Sequence, residues 1–266
     1  MQRKKYVISI LLLITTLSCE KFKYNHYQVT KPEKDTKLNS ENIAKFINIK
    51  KDTIQIAVIG DSQRFYTSTN KIVKKINTIP DIDFVVHTGD LSDFGTEEEF
   101  VLMHEQLSLL KYPYVAVIGN HDLIGGGGDI YSNFYGEYNF SFTFNGNKFI
   151  YINTNASEFD YSNNVPDINW LDKQLSDTLN YDNAIIVCHV PHWSIDFNAK
   201  LTENYLNTLK KYNKVLLSIN GHDHNFSYQP FKIENISILN SYSTHKEKFV
   251  LAKIWNKGHS IEVITL

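Results

Sequence analysis

Five short apolar runs in this chain each end in a turn carrying metal-ligand residue types, and no other feature restricts the possible folds as strongly. Ile56-Ala57-Val58-Ile59 leads into Gly60-Asp61-Ser62-Gln63, and Phe84-Val85-Val86-His87 into Gly89-Asp90-Leu91-Ser92-Asp93. The run over residues 114–118 stops at Gly119, and Asn120, His121 and Asp122 follow without a break. Ala184-Ile185-Ile186-Val187 leads to Cys188-His189-Val190-Pro191-His192, and Val215-Leu216-Leu217-Ser218-Ile219 to Gly221-His222-Asp223-His224. Continuous apolar runs bounded by turn residues predict buried strands. Polar side chains at the carboxyl ends of such strands occupy the position where open α/β sheets take their ligands.

The spacing between these turns fits crossover helices. Asp61 to Asp90 is 29 residues and Asp90 to Asn120 is 30, the length of a strand, a helix and two turns. Ile72, Val73 and Ile76 share one helical face. Thr96 with Glu99 predicts a capping box opening a helix that buries Phe100, Met103, Leu107 and Leu110. A parallel β-α-β-α-β unit is therefore expected over residues 54–118. Gly125-Gly126-Gly127-Gly128 predicts a flexible loop. Asn145-Gly146 between two apolar alternations predicts a hairpin, and Pro166 the opening of a helix with Ile168, Leu171 and Leu175 inward. A further amphipathic helix is expected over residues 198–211. After it come strands over roughly residues 231–238, 249–255 and 260–265, with the last turn at Asn256-Lys257-Gly258.

The amino-terminal residues read differently. Arg3-Lys4-Lys5 precedes an apolar stretch of 12 residues, 6–17, and then Cys19. That stretch is too short for the roughly 20 helical residues of a membrane span. Charge, short apolar core, small residue and cysteine together resemble a bacterial lipoprotein signal, with Thr16 where that signal usually has Leu. A lipid on Cys19, anchoring the chain in the cell envelope outside the cytoplasm, is the expectation; an ordinary secretory signal with an incidental cysteine is the other reading. Residues 1–19 are then the signal, 20–52 a polar tether with a short helix capped by Ser40, and 53–266 the domain. Cys188, the only other cysteine, reads as a small apolar core residue. Without Arg3, Lys4 and Lys5 the chain has 24 basic residues against 29 acidic, a balance that argues against a nucleic-acid partner.

The motifs Asp-x-Gln, Gly-Asp-x-x-Asp, Gly-Asn-His-Asp, His-x-Pro and Gly-His-x-His, in this order over about residues 53–225, resemble those of the calcineurin-like metallophosphoesterase superfamily. The resemblance implies an α/β fold, a two-layer β-sandwich flanked by helices in four α/β/β/α layers, with the β-rich tail in the second sheet. It also implies two divalent metal ions. Asp61, Gln63, Asp90 and His224 would hold the first; Asp90, Asn120, His189 and His222 the second, with Asp90 bridging. His121 would face the phosphate and its leaving group, with Asp93 accepting its other ring proton. A hydroxide between the ions would attack phosphorus in a small phosphorylated substrate.

Paired cations suit an in-line displacement at phosphorus. Two dications less two carboxylates and one hydroxide leave a formal +1, which draws an anion to a negatively charged chain. Where the superfamily most often has His, this chain has Gln63; an amide oxygen there favours manganese or iron(II) over zinc. Gln63 could also serve as a neighbour that hydrogen-bonds a ligand. Arg64 is open to two roles, contact with a phosphate oxygen or a solvated surface charge, and His192 is close enough to His189 in sequence for substrate contact. His87, His104, His245 and His259 read as ordinary surface or core histidines. Two functions compete: a metal-dependent phosphoesterase, and a non-catalytic metal- or phosphate-binding lipoprotein on the same fold.

Overall fold

The computed structural model describes residues 37–162 and 164–266. The expected signal with Cys19, and the tether as far as Thr36, lie outside the described residues. Two mixed sheets pack face to face. The first has the order β11-β10-β1-β2-β3 and the second β4-β5-β6-β7-β9-β8. In the first, β1 (Ile54–Ile59), β2 (Phe84–His87) and β3 (Tyr114–Ala116) are parallel. The antiparallel pair β10 (Lys248–Trp255) and β11 (Gly258–Thr265) joins at β1. In the second, β5 (Asn147–Tyr151), β6 (Asn183–Val187), β7 (Val215–Asn220) and β9 (Ile236–Asn240) are parallel. The edges of the second sheet are β4 (Phe140–Phe144) and β8 (Ser227–Ile233), both antiparallel to their neighbours.

The two-residue period of a strand assigns each side chain to a layer. Ile56, Val58, Phe84 and Val86 point into the space between the sheets, where they meet Phe149, Ile185, Val187, Leu217 and Ile219. Ala57, Ile59 and Val85 point the other way, onto the helices of the first sheet. Those helices are α2 (Tyr66–Ile76), α3 (Glu97–Leu107) and α4 (Gly127–Phe134), with Ile72, Val73, Ile76, Phe100, Met103 and Leu107 buried. The outer face of the second sheet is covered by α5 (Ile168–Ser176) and α6 (Thr202–Lys211), through Leu171, Leu175, Tyr205 and Leu209. The layers are therefore α/β/β/α, as expected. The Thr96–Glu99 capping box is formed, and Asn145 and Gly146 turn the β4–β5 hairpin at φ of 48° and 75°.

Several local expectations need correction. Helix α1 (Leu38–Ala44) begins after Lys37, so Ser40 lies inside it rather than capping it. It belongs to the domain instead of a tether: Asn39 and Asn42 are buried, and Phe46 stacks on Phe84 at 4.6 Å. Asp167 rather than Pro166 caps α5, its side chain accepting from Trp170 N at 2.9 Å. The strand expected over residues 231–238 is broken at Glu234, whose φ of 54° turns β8 into β9. The β-rich tail divides between the sheets, because β10 pairs with β1. Nor are the four glycines a free loop. Gly125 and Gly126 make a left-handed turn, and Gly127 opens α4 where a Cβ would meet Asp122 O at 2.4 Å and Gly95 Cα at 2.6 Å.

Candidate metal centre

The turns that follow β1, β2, β3, β6 and β7 meet at one end of the two sheets. Their backbones are hooked together before any side chain is considered. Asp61 N donates to Gly89 O, and Ser62 N and Gln63 N both donate to Asp90 O, each at 3.0 Å. Asp61, Gln63, Asp90, His222 and His224 all adopt positive φ, between 37° and 73°. That region costs a residue with a Cβ about 1 kcal/mol or more, so the surrounding bonds must hold it. Asp122 is the main clamp: its buried carboxylate accepts from Asp90 N (3.0 Å), Gly119 N (2.9 Å), Ser92 N (2.8 Å) and Ser92 Oγ (2.9 Å). Gly119 is required by close approach, since a Cβ there would lie 2.1 Å from Asp90 Oδ1.

On this frame the expected ligands converge. Asp61, Asp90 and His189 present ligand atoms within 4.8 Å of one another, all buried. His189 Nδ1 donates to Thr88 O at 2.7 Å, which fixes the ring and leaves Nε2 facing the centre. That nitrogen lies 3.0 Å from Asn120 Oδ1 and 3.3 Å from Asp90 Oδ1. His222 Nε2 donates to Asp196 Oδ2 at 3.0 Å, which turns the lone pair of Nδ1 to Asn120 Oδ1 at 3.1 Å. His224 Nε2 is 3.5 Å from Asp61 Oδ1. Asp61 Oδ2 is buried with no hydrogen-bond partner, a costly arrangement unless a cation satisfies it. These donors, mixed carboxylate, amide oxygen and imidazole, suit divalent first-row ions.

The electrostatics point the same way. Burial pushes Asp61 up to about 7, against the pull of His189 and with help from Asp90. Burial also opposes the charge on Asp90, but His189 and His121 hold it down at about 2. Burial would depress His189, yet Asp90 and Asp61 raise it to about 10. The buried carboxylates thus draw positive charge into the centre.

The other expected residues divide. His121 Nδ1 donates to the main-chain oxygen of Asp93 at 2.8 Å, while the Asp93 carboxylate is 3.7 Å away. Asp93 thus takes this ring proton through its main-chain oxygen, while Arg64 Nη1 holds its Oδ2 at 2.6 Å. Arg64, 64% exposed, is ion-paired with Asp93 through one guanidinium nitrogen, and its other N–H donors stay free to meet a phosphate oxygen. Gln63 turns its amide nitrogen to Asp90 Oδ2 at 3.1 Å. In this arrangement Gln63 acts as a donor that holds Asp90, the neighbour role that the sequence also allowed, since a buried carboxylate oxygen needs a donor. His192 packs edge-on against Trp193, with ring centroids 5.0 Å apart. Cys188 is a core residue whose thiol burial pushes up to about 12. His87 is buried and neutral: Gly89 N donates to its Nδ1, leaving Nε2–H for Ser62 Oγ at 2.9 Å.

Sequence reasoning missed three contributors. Asp122 stood inside the third motif, next to His121, but nothing local revealed its four donors. Asp196 carries no signal except its place in the loop after β6. His245, read as ordinary, lies 6.1 Å from His224 and 4.9 Å from Phe65 by ring centroid, with Nδ1 on Ser243 Oγ at 2.8 Å.

The family model described as calcineurin-like phosphoesterase matches residues 54–226. A 3',5'-cyclic-nucleotide phosphodiesterase from Nostoc is 26% identical over 182 residues, 65% of this chain and 67% of the relative. A probable glycerophosphodiester phosphodiesterase from Arcobacter nitrofigilis is 43% identical over 53 residues, 20% of this chain and 19% of the relative. The chain thus spans about a fifth of one of these relatives and two thirds of the other. Among solved structures, a dimetal phosphatase from Danio rerio shares the fold, with a TM-score of 0.59, 13% identity, and coverage of 80% of this chain and 98% of that one.

Proposed function

The chain belongs to the calcineurin-like phosphoesterase family, and we propose that it hydrolyses small phosphodiesters with two divalent metal ions. The observation that carries this reading is the convergence of Asp61, Asp90, Asn120, His189 and His222, with Asp61 Oδ2 buried and unpartnered. Asp61, Asp90 and His224 would hold one ion, and Asp90, Asn120, His189 and His222 the other. Bound there, the ions would neutralise phosphate charge and supply a nucleophile at neutral pH. The first set holds more oxygen than nitrogen, which favours manganese or iron(II). His121, fixed through Nδ1 by Asp93 O, keeps Nε2 for proton exchange with the leaving oxygen. Gln63 and Asp122 hold Asp90 in place from its carboxylate and its backbone. The names of the two curated relatives support a diester over a monoester. A lipid on Cys19 would place the activity on the cell envelope, and Cys19→Ser is expected to move the chain from the membrane to the soluble fraction.

The test is turnover of bis(4-nitrophenyl) phosphate and 4-nitrophenyl phosphate by the manganese-loaded chain. Diester hydrolysis that chelation abolishes and manganese restores is expected. Bound metal with turnover of neither substrate would instead support the non-catalytic lipoprotein.

A further inference from the structure

The loop after β6 passes the metal centre and holds large apolar side chains in solvent. Trp193 is 43% exposed, Ile195 87%, and Tyr161, on the neighbouring loop, 41%. Scattered apolar side chains are ordinary on a surface, but a fixed cluster beside a site is informative. The two loops that carry these side chains are tied together. Buried Asn198 Nδ2 donates to Tyr161 O (3.0 Å) and Ser162 O (2.9 Å), and Ser157 N donates to Asp196 O at 3.3 Å. Tyr161 Oη donates to Ile195 O at 3.4 Å. Asp196 in turn bonds His222, so the lobe is bolted to the centre.

Trp193 is also held individually. Its indole N–H donates to Asp223 Oδ2 at 3.1 Å, and Asp223 lies between His222 and His224. The His192 ring braces it from the side, edge-on at an interplanar angle of 82°. An indole tied by its polar edge beside two metal-binding residues still presents apolar surface to solvent. The charges of the lobe restrict what that surface receives. Histidines aside, the charged residues in segments 157–162 and 188–201 are Glu158, Asp160, Asp196 and, at the far end of the loop, Lys200. With Asp223 the three acidic residues set a negative rim, although Lys232 acts on His192 from β8. Such a rim disfavours a second anionic group and accepts an uncharged one.

We propose that Trp193, braced by Asp223 and His192, is a stacking platform for a flat, uncharged group esterified to the phosphate, a nucleobase or another aromatic ring. This rests on the phosphodiesterase reading for the position of the phosphate. Stacking on a fixed indole is sequence-tolerant and works through the π-face, so it selects flatness more than any one hydrogen-bond pattern.

The test is isothermal titration calorimetry on the full chain with manganese present, using adenosine 5'-monophosphate, phenyl phosphate and glycerol 3-phosphate. Wild type is expected to bind the adenine nucleotide more tightly than glycerol 3-phosphate. Trp193→Ala is expected to weaken the nucleotide about tenfold or more while glycerol 3-phosphate changes by less than about twofold; Trp193→Phe should keep most of the preference. An equal change for phenyl phosphate assigns the platform to flat rings in general, and a change for the nucleotide alone assigns it to a base. Equal weakening of all three ligands, or no nucleotide preference in wild type, would overturn the proposal. Turnover is scored separately: absent hydrolysis with a Trp193-dependent preference contradicts the hydrolase reading and leaves the platform standing.

Discussion

At the scale of single residues, the atom that restrains His121 decides which substitutions matter. The restraint is the main-chain oxygen of Asp93, which survives any change of that side chain. Asp93→Asn is therefore expected to lower kcat by less than about tenfold, whereas His121→Ala should retain metal and lose about 10²–10⁴-fold. The His121→Ala loss should shrink for substrates with strongly acidic leaving groups, which need no proton. Steady-state kinetics on a leaving-group series checks both, and a loss independent of leaving group would mean that His121 acts by charge alone.

His87 supplies a second prediction. Burial, outweighing the pull of Asp90, lowers its affinity for protons from the ordinary 6.5 to about 3. As pH falls below 6.5 the unfolded chain takes up a proton that the folded chain refuses until about pH 3. This side chain therefore subtracts stability progressively through that window and adds no pH dependence above it. His87→Gln, which keeps a donor for Ser62, should flatten the fall in urea stability between pH 7 and pH 5. An unchanged slope would show that burial does not lower the proton affinity of this imidazole.

At the scale of elements, α1 has a definite task at the edge of the first sheet. Edge strand β3 has unpaired backbone groups, and Asn39 satisfies a pair of them as a neighbouring strand would. Its Oδ1 accepts from Ala116 N at 2.9 Å and its Nδ2 donates to Ala116 O at 3.0 Å, while Asn42 Nδ2 donates to Tyr114 O at 2.8 Å. An unsatisfied buried group costs about 1–3 kcal/mol, so Asn39→Ala is expected to destabilise by about 2–4 kcal/mol with metal content unchanged. Urea unfolding and metal analysis test this; stability within about 0.5 kcal/mol of wild type would show the helix to be peripheral. The elements legible beforehand were those with a local signature: the period of α2 and α3, the Thr96–Glu99 box, the Asn145-Gly146 turn. Those misread depended on distant partners. Nothing near Ser40 indicates that the helix starts earlier to bring Asn39 to β3, and nothing near Gly127 shows Gly95 packed against it.

At the scale of the whole molecule, the centre exists because the parallel strands of both sheets end on the same side and are stitched together there. Thr88 O receives His189 Nδ1, Asn155 Nδ2 donates to Ile118 O at 3.0 Å, and Ser243 Oγ donates to Asp61 O at 2.7 Å. Ligand types were readable in sequence because each directly follows an apolar run. Their partners were not, because Asp196 reaches His222 across 26 residues and β10 joins β1 from the far end of the chain. The centre turns on Asp90, which lies against His189, Gln63 and His121 N at once and is the carboxylate assigned to both ions. The decisive measurement is manganese stoichiometry of the apo chain and of Asp90→Ala, followed by diester turnover of each. About two ions per wild-type chain, and loss of both binding and turnover in the variant, are expected; an Asp90→Ala chain that still holds two ions would contradict the account.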